Sequence, residues 1–187
     1  MPWNLPNTWE EFQVLFEDYT YEEAFLVMKE MVELACLDLV DKHLVTNNLS
    51  LVIGYSNEHE KYLGVSKKIL ETTNSYKIIN EYFVDLFKQN VNKTKLIRRI
   101  NISLNNVVDE IYQTHTLFED PLQQQKEKNL QEAILSIKKK YGKSSIIKGM
   151  NLEEKATTLS RNKLIGIYDK SLTKRGEYRA LIGIELL

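Results

Sequence analysis

Leu96-Ile-Arg-Arg-Ile-Asn-Ile-Ser-Leu104 is the stretch that decides the fold predicted for this chain. From Ile100 on, every second residue is aliphatic, a period typical of a β-strand with one face on a core. The aliphatic positions are Ile100, Ile102 and Leu104, and the polar positions are Arg99, Asn101 and Ser103. Arg98 shares the aliphatic parity, so we expect its side chain to bend around the start of the strand into water. The polar face can lie against phosphates, or its arginines can simply keep an exposed strand soluble.

The composition is that of a soluble globular protein with one domain and an extension. The chain has 187 residues, of which 43% are hydrophobic and 27% charged. Its single cysteine, Cys36, lies in an apolar helical pattern and excludes a disulfide within the chain, which indicates a reducing compartment. Because neither a membrane-spanning run nor a signal peptide is evident, we expect a cytoplasmic location.

Charge is distributed unevenly although the net charge is −1. Residues 1–60 have 12 acidic and 2 basic side chains, residues 61–103 have 3 and 9, and residues 104–187 have 11 and 14. A nearly neutral chain of this kind can present one basic face and one acidic face, so a polyanionic partner stays compatible with the composition.

Three further strands are predicted ahead of the opening stretch, over Phe12–Phe16, Ser50–Tyr55 and Val65–Thr72. A turn is expected at Asn47 and Asn48, because asparagine tolerates left-handed backbone angles. Gly54 inside a strand indicates a bulge or the close approach of another group.

Two helices alternate with these strands. Thr20 and Glu23 have the spacing of a capping box, which predicts a helix that runs to about His43. Asn74 or Ser75 is expected to cap the second helix. The resulting order is β-α-β-β-α-β, which predicts an α+β domain with a four-stranded sheet and two helices on one face.

The rest of the chain divides by composition. Residues 1–11 are an irregular lead-in, 12–104 the predicted domain, 105–120 a linker, 121–142 a helix, and 143–187 a basic tail. Between Lys138 and Arg179 there are 12 basic and 4 acidic residues. We therefore expect the tail to be loosely ordered or to dock on a polyanion.

Several segments together resemble one family over residues 12–166. They are Phe-Glu-Asp-Tyr-Thr-Tyr-Glu-Glu-Ala (16–24), Leu-Ser-Leu-Val-Ile-Gly-Tyr-Ser (49–56), Leu-Phe-Glu-Asp (117–120), Lys-Lys-Lys-Tyr-Gly-Lys-Ser-Ser-Ile (138–146) and Asn-Leu-Glu-Glu-Lys-Ala-Thr-Thr-Leu-Ser-Arg-Asn-Lys-Leu-Ile-Gly (151–166). In this order they resemble the C-terminal part of a Y-family translesion DNA polymerase, of the UmuC/UvrX-like branch found in Gram-positive bacteria.

The resemblance implies that residues 12–104 are the little-finger domain, whose sheet lies along the backbone of primer–template DNA without regard to sequence. On the family pattern the phosphate contacts would be Ser66, Lys67, Lys68, Arg98 and Arg99, beside Asn101 and Ser103. With the resemblance added, we favour DNA contact over the reading of a merely soluble face.

The resemblance also implies a sliding-clamp motif between the domain and the tail. Gln113, Leu117 and Phe118 occupy its region, with the last two as apolar anchors. Gln113 lies one residue early, and His115 replaces the first leucine of the motif. Leu117 and Phe118 can equally pack on the domain.

Family catalysis needs two metal ions held by carboxylates of a palm domain, which would precede residue 12. We therefore expect no polymerase activity and no cofactor on this chain alone, with Mg²⁺ required only alongside a palm. Asp109 and Glu110 follow the little finger and are rejected as a metal site, and the scattered histidines lack ligand spacing.

The favoured function is therefore the DNA-binding region of a UmuC-like repair polymerase. Two alternatives stay open at this point: a protein-interaction module that docks on a polymerase or clamp without binding DNA, and a truncated gene remnant.

Overall fold

The computed structural model describes residues 8–57, 59–114 and 121–165. Its strands are β1 (Thr8–Tyr19), β2 (Leu44–Tyr55), β3 (Leu63–Thr73), β4 (Ile97–Asn105) and the two-residue β5 (Val108–Asp109). Its helices are α1 (Tyr21–Asp41), α2 (Tyr76–Asn90), α3 (Pro121–Tyr141) and α4 (Thr158–Ile165), and short 3-10 turns cover Glu110–Tyr112 and Gly149–Leu152. The predicted α+β class and the β-α-β-β-α-β order are confirmed.

The sheet has the strand order β1-β4-β2-β3, with every neighbouring pair antiparallel, while β5 pairs with the start of β2. One face packs on α1 and α2, and its side chains are fully buried at Leu49, Leu51, Ile53, Ile100, Ile102 and Leu104. Burial of each such side chain contributes about 1.5–3 kcal/mol. The period of two in β4 therefore separates a core face from an opposite face, which we call the open face.

Both helix starts follow from local chemistry. The Thr20 backbone N–H donates to Glu23 Oε2 (2.8 Å) and the Glu23 N–H to Thr20 Oγ1 (3.4 Å), so the predicted capping box is confirmed. Ser75 caps α2 by accepting from the Ile78 N–H (3.3 Å). The Ser75 hydroxyl also donates to the Glu127 carboxylate (2.9 Å), which attaches α3 to the start of α2.

The turn predicted at Asn47 and Asn48 is wrong. Both residues lie inside β2, and the chain turns earlier, where His43 has a positive φ of 53°. Asn48 pairs with Asn105 of β4 on one side and Lys68 of β3 on the other. Strand pairing on both sides outweighs the local turn preference of asparagine.

The described part of the basic tail is folded onto the domain, unlike the loose tail expected. Residues 148–165, here called the strap, cross α1 and β1 and place Asn151, Thr157 and Thr158 in buried positions. Glu30 of α1 is fully buried beneath them. Its Oε1 accepts from Asn151 Nδ2 (2.9 Å) and the Thr158 N–H (3.3 Å), and its Oε2 from the Thr157 N–H (2.7 Å) and hydroxyl (3.1 Å).

Ion pairs extend this attachment along the acidic N-terminal part of the chain. The pairs are Arg161–Glu11, Lys155–Glu17, Lys148–Glu33 (3.8 Å) and, from α3, Lys139–Asp41. Lys148 Nζ also lies 3.2 Å from the centroid of the Tyr76 ring. Four of the acidic side chains of residues 1–60 are thus paired with basic side chains of the C-terminal part.

The structure also describes the single cysteine and the apolar character of the helices. Cys36 is fully buried in the core, and this burial raises the pKa of its thiol. Among the described helices, none combines the length and the apolar character needed to span a bilayer.

Candidate nucleic-acid interface

The open face presents rows of polar side chains that run across three strands. In register, Ser103 of β4 lies opposite Ser50 of β2, which lies opposite Ser66 of β3. The next row is Asn105, Asn48 and Lys68, and the row in the other direction is Asn101, Val52 and Gly64. Neither β2 nor β4 contains an aspartate or glutamate. The centre of the face is therefore uncharged and rich in groups that hydrogen-bond.

Hydrogen bonds hold one end of this face rigid. Asn105 Nδ2 donates to Asn48 Oδ1 (3.0 Å) and to Ser50 Oγ (2.8 Å), and the Thr46 hydroxyl donates to the Asn105 carbonyl oxygen (2.5 Å). Asn101 Oδ1 is buried and accepts no hydrogen bond from the described residues.

Arg98 and Arg99 lie together at the opposite end because β4 bulges there. Arg99 is opposite Gly54, but the next pair joins Tyr55 to Ile97, which leaves Arg98 as one extra residue. The bulge takes Arg98 out of the aliphatic register and places it beside Arg99, with its side chain partly exposed. Both line a cleft of about 300 Å³, here called the arginine cleft, with Tyr55, Ser56, Asn57 and Tyr62.

Carboxylates also border the arginine cleft. Asp18 Oδ1 lies 4.0 Å from Arg98 Nη1, and Glu60 is held by Lys95 at 2.7 Å. On β1, Glu10 lies on the open face opposite Ser103. The positive charge is therefore local to the arginines and to Lys68, while β1 presents Glu10 and the exposed Phe12 on this face.

Lys67 lies on the other side of the sheet from Ser66 and Lys68. Its Nζ is 5.1 Å from the centroid of the Tyr82 ring of α2. The cause is the alternation of β3, in which Lys67 shares the parity of the buried Ile69. The structure thus brings together Ser66, Lys68, Arg99 and Asn101 on the open face, where Ser103 also lies but is buried. Arg98 lies in the cleft, and Lys67 lies apart.

Tyr62 also lines the cleft, although no sequence motif singles it out. Arg99 donates an Nη1–H to the Tyr62 hydroxyl, and its Cζ lies 5.8 Å from the ring centroid. The available signal was Gly54: a Cβ there would lie 2.7 Å from the Tyr62 ring, so the predicted close approach is confirmed.

Asp109 and Glu110 both have structural partners. Asp109 Oδ1 accepts from the Ile111 N–H (3.1 Å). Glu110 accepts from Lys128 Nζ (2.9 Å) and Asn74 Nδ2 (3.3 Å) and lies 3.3 Å from His43 Nδ1. Within the described ranges, no three histidine, cysteine, aspartate or glutamate residues are grouped so as to hold a metal ion.

Of the predicted clamp residues, only Gln113 is described. Its N–H donates to the Glu110 carbonyl oxygen (2.9 Å), and Thr114 then bonds to Thr72 at the end of β3 (2.9 Å). Leu117 and Phe118 lie outside the described residues, so clamp binding stays a prediction.

A two-layer β-α-β-β-α-β sheet with one open, polar face defines the class as a little-finger type of domain. A family model described as the impB/mucB/samB family C-terminal domain matches residues 13–117. The chain belongs to this family, which confirms its resemblance to the C-terminal part of a Y-family polymerase.

One curated relative is UvrX of Bacillus subtilis (strain 168), whose name gives it as a UV-damage repair protein. It is 30% identical over 159 residues, which are 82% of this chain and 37% of UvrX. The chain therefore spans a little over a third of the length of this relative.

Solved structures of Dbh DNA polymerase also align. A post-insertion binary complex has a TM-score of 0.40 at 17% identity, over 55% of this chain and 29% of that chain. A Dbh–Dpo4 chimera has a TM-score of 0.41 at 16% identity, over 57% and 30%.

Proposed function

We propose that this domain binds the backbone of primer–template DNA with its open face, without regard to sequence. The observation that supports this most is the placement of Arg98, Arg99 and Lys68 around an uncharged row of serines and asparagines. Such a surface offers cations for phosphates and neutral donors for sugar and phosphate oxygens. It needs no cofactor.

The two basic ends would contact separate phosphates. Arg99 lies opposite Gly54 of β2 and Lys68 opposite Asn48, six residues apart along one strand. At about 3.4 Å per residue they are roughly 20 Å apart. That span exceeds the Debye length of about 8 Å at physiological salt, so each end acts independently. Three cations predict a slope of log affinity against log salt of about −3.

A salt series tests the proposal. Binding of labelled primer–template DNA to the full chain should weaken about 40-fold between ~50 and ~200 mM NaCl. In Arg98→Ala/Arg99→Ala the slope should become shallower by about 2, from about −3 to about −1, because two phosphate contacts are lost. Lys67→Ala removes a cation from the opposite face and is the matched control, which should bind like the wild type. An absence of wild-type binding at ~50 mM NaCl would refute the proposal.

Polymerisation is assigned to residues outside this domain. The family matched is a C-terminal domain, and the chain spans 37% of UvrX. In a primer-extension assay with Mg²⁺ and all four nucleotides, this chain alone should leave the primer unextended. Extension by the purified chain would contradict the assignment.

A protein-interaction module is the second candidate, and an apolar stripe on α3 favours it. Leu130, Ile137 and Tyr141 are spaced by seven and four residues, which places them on one helix face, and they are 61%, 36% and 67% exposed. A surface of this kind suits a protein partner better than DNA. This candidate would be favoured if the immobilised chain retained a polymerase or clamp and bound no DNA at any salt concentration.

A further inference from the structure

Tyr62 connects the β2–β3 loop to the start of β4. Its ring lies so close to Gly54 that a Cβ there would approach it to 2.7 Å, and the same Cβ would lie 3.0 Å from Arg99 Cβ. The tyrosine hydroxyl accepts from Arg99 Nη1, while the ring flanks the guanidinium at 5.8 Å. Gly54, Tyr62 and Arg99 therefore form one packed unit beside the arginine cleft.

The loop that carries Tyr62 is itself held in place. Asn57 folds it into a turn, accepting from the His59 N–H at its side chain (3.1 Å) and from the Glu60 N–H at its carbonyl (3.0 Å). Glu60 then pairs with Lys95 (2.7 Å), which precedes β4. The ion pair ties the loop to the strand on which Arg99 lies.

We propose that Tyr62 is a positioning residue that holds the Arg99 guanidinium at the mouth of the cleft before a phosphate arrives. The inference rests on the proposed function. Arginine has five N–H donors, and the neutral hydroxyl occupies one of them without cancelling the charge. A carboxylate in the same place would pair with the guanidinium and compete with phosphate. Arg99 also gives up less side-chain freedom on binding when it is ordered beforehand.

Tyr62→Phe is the sharpest test because it removes only the hydroxyl. DNA affinity of the full chain should fall about two- to tenfold, the range expected for one hydrogen bond. The slope of log affinity against log salt should stay unchanged in Tyr62→Phe, whereas Arg99→Ala should make it shallower by about 1. Tyr82→Phe is the matched control, since Tyr82 lies under Lys67 on the opposite face and its substitution should leave affinity unchanged.

A double-mutant cycle separates positioning from a direct DNA contact by Tyr62. In the Arg99→Ala background, Tyr62→Phe should cause no further loss, because the group that it positions is absent. Equal losses in both backgrounds would overturn the inference and make Tyr62 a contact in its own right.

A measurement without DNA keeps the inference separate from the proposed function. ¹⁵N relaxation of the Arg99 Nε–Hε group should report greater mobility in Tyr62→Phe than in the wild type or in Tyr82→Phe. Unchanged mobility would overturn positioning. If Arg99→Ala left DNA binding unaltered, the proposed function would fail, while the relaxation data would still decide the role of Tyr62.

Discussion

Glu30→Gln should loosen the strap and lower the stability of the whole chain. The carboxylate is fully buried and accepts four hydrogen bonds, two at each oxygen. Glutamine keeps one oxygen, and its NH₂ group then faces two donors that have lost their acceptor. At about 1.5–3 kcal/mol for each hydrogen bond to a charged group, the loss is roughly 3–6 kcal/mol if the strap stays in place.

Detachment of the strap limits that loss, because water then satisfies the freed groups. We therefore expect a fall of about 3 kcal/mol in the free energy of unfolding, which for a chain of this size lowers Tm by roughly 6–12 °C. Amide hydrogen exchange should accelerate most over residues 149–165.

Thermal unfolding by circular dichroism and hydrogen exchange by mass spectrometry measure the two effects. Glu22→Gln is the matched control, since Glu22 is exposed in the first turn of the same helix and its substitution should change Tm by less than about 2 °C. If Glu30→Gln matched this control in Tm and in exchange over the strap, Glu30 would not be its anchor.

Two further predictions follow from the described contacts, and a third tests the sliding-clamp motif implied by the sequence. Burial acts to raise the pKa of Glu110, but hydrogen bonds from Lys128, Asn74 and His43 outweigh it and hold the pKa below its ordinary value of 4.5. Its stabilisation is therefore present above about pH 4.5 and lost as pH falls through the folded-state pKa, so Glu110→Gln should lower Tm at neutral pH and flatten the acid-side decline in a pH series of melts. Gly54→Ala should displace the Tyr62 ring, costing about 1–3 kcal/mol in denaturant unfolding and weakening DNA binding as Tyr62→Phe does; wild-type values for both would contradict the packed unit. Leu117→Ala/Phe118→Ala should abolish retention on an immobilised sliding clamp if these residues are anchors, and undiminished retention would exclude them.

The elements with strong local signals were predictable from the sequence. The capping box at Thr20 acts within one turn of helix, and the alternation from Ile100 to Leu104 is visible within the strand itself. Both can therefore be recognised without knowing which distant residues pack against them. The prediction of a turn at Asn47 and Asn48 was wrong because pairing with β3 and β4 sets the conformation of that segment. Those strands are distant in sequence, so the local residue preferences do not include their effect.

The details of the interface depended on contacts distant in sequence. The alternation of residues along β4 predicted that Arg99, Asn101 and Ser103 share one face. The bulge at Arg98 was not predictable in this way, because it arises from how β4 pairs with β2. The family pattern placed Lys67 with Lys68 among the phosphate contacts, although neighbouring strand residues point to opposite faces. Tyr62 reaches Arg99 only because the β2–β3 hairpin folds back, and the glycine that permits it was the one available signal.

The charge distribution gains a physical meaning once the strap is placed. Residues 1–60 are strongly acidic, yet Glu11, Glu17 and Glu33 each face a lysine or arginine of the strap across α1 and β1. Paired charges produce a weak field beyond a Debye length of about 8 Å, so this acid opposes a polyanion on the open face much less than its count implies. Arg98, Arg99 and Lys68 are then the cations that the open face and its cleft offer, with Asp18 beside Arg98. A net charge of −1 is therefore compatible with salt-dependent DNA binding, and the strap is part of what makes it so.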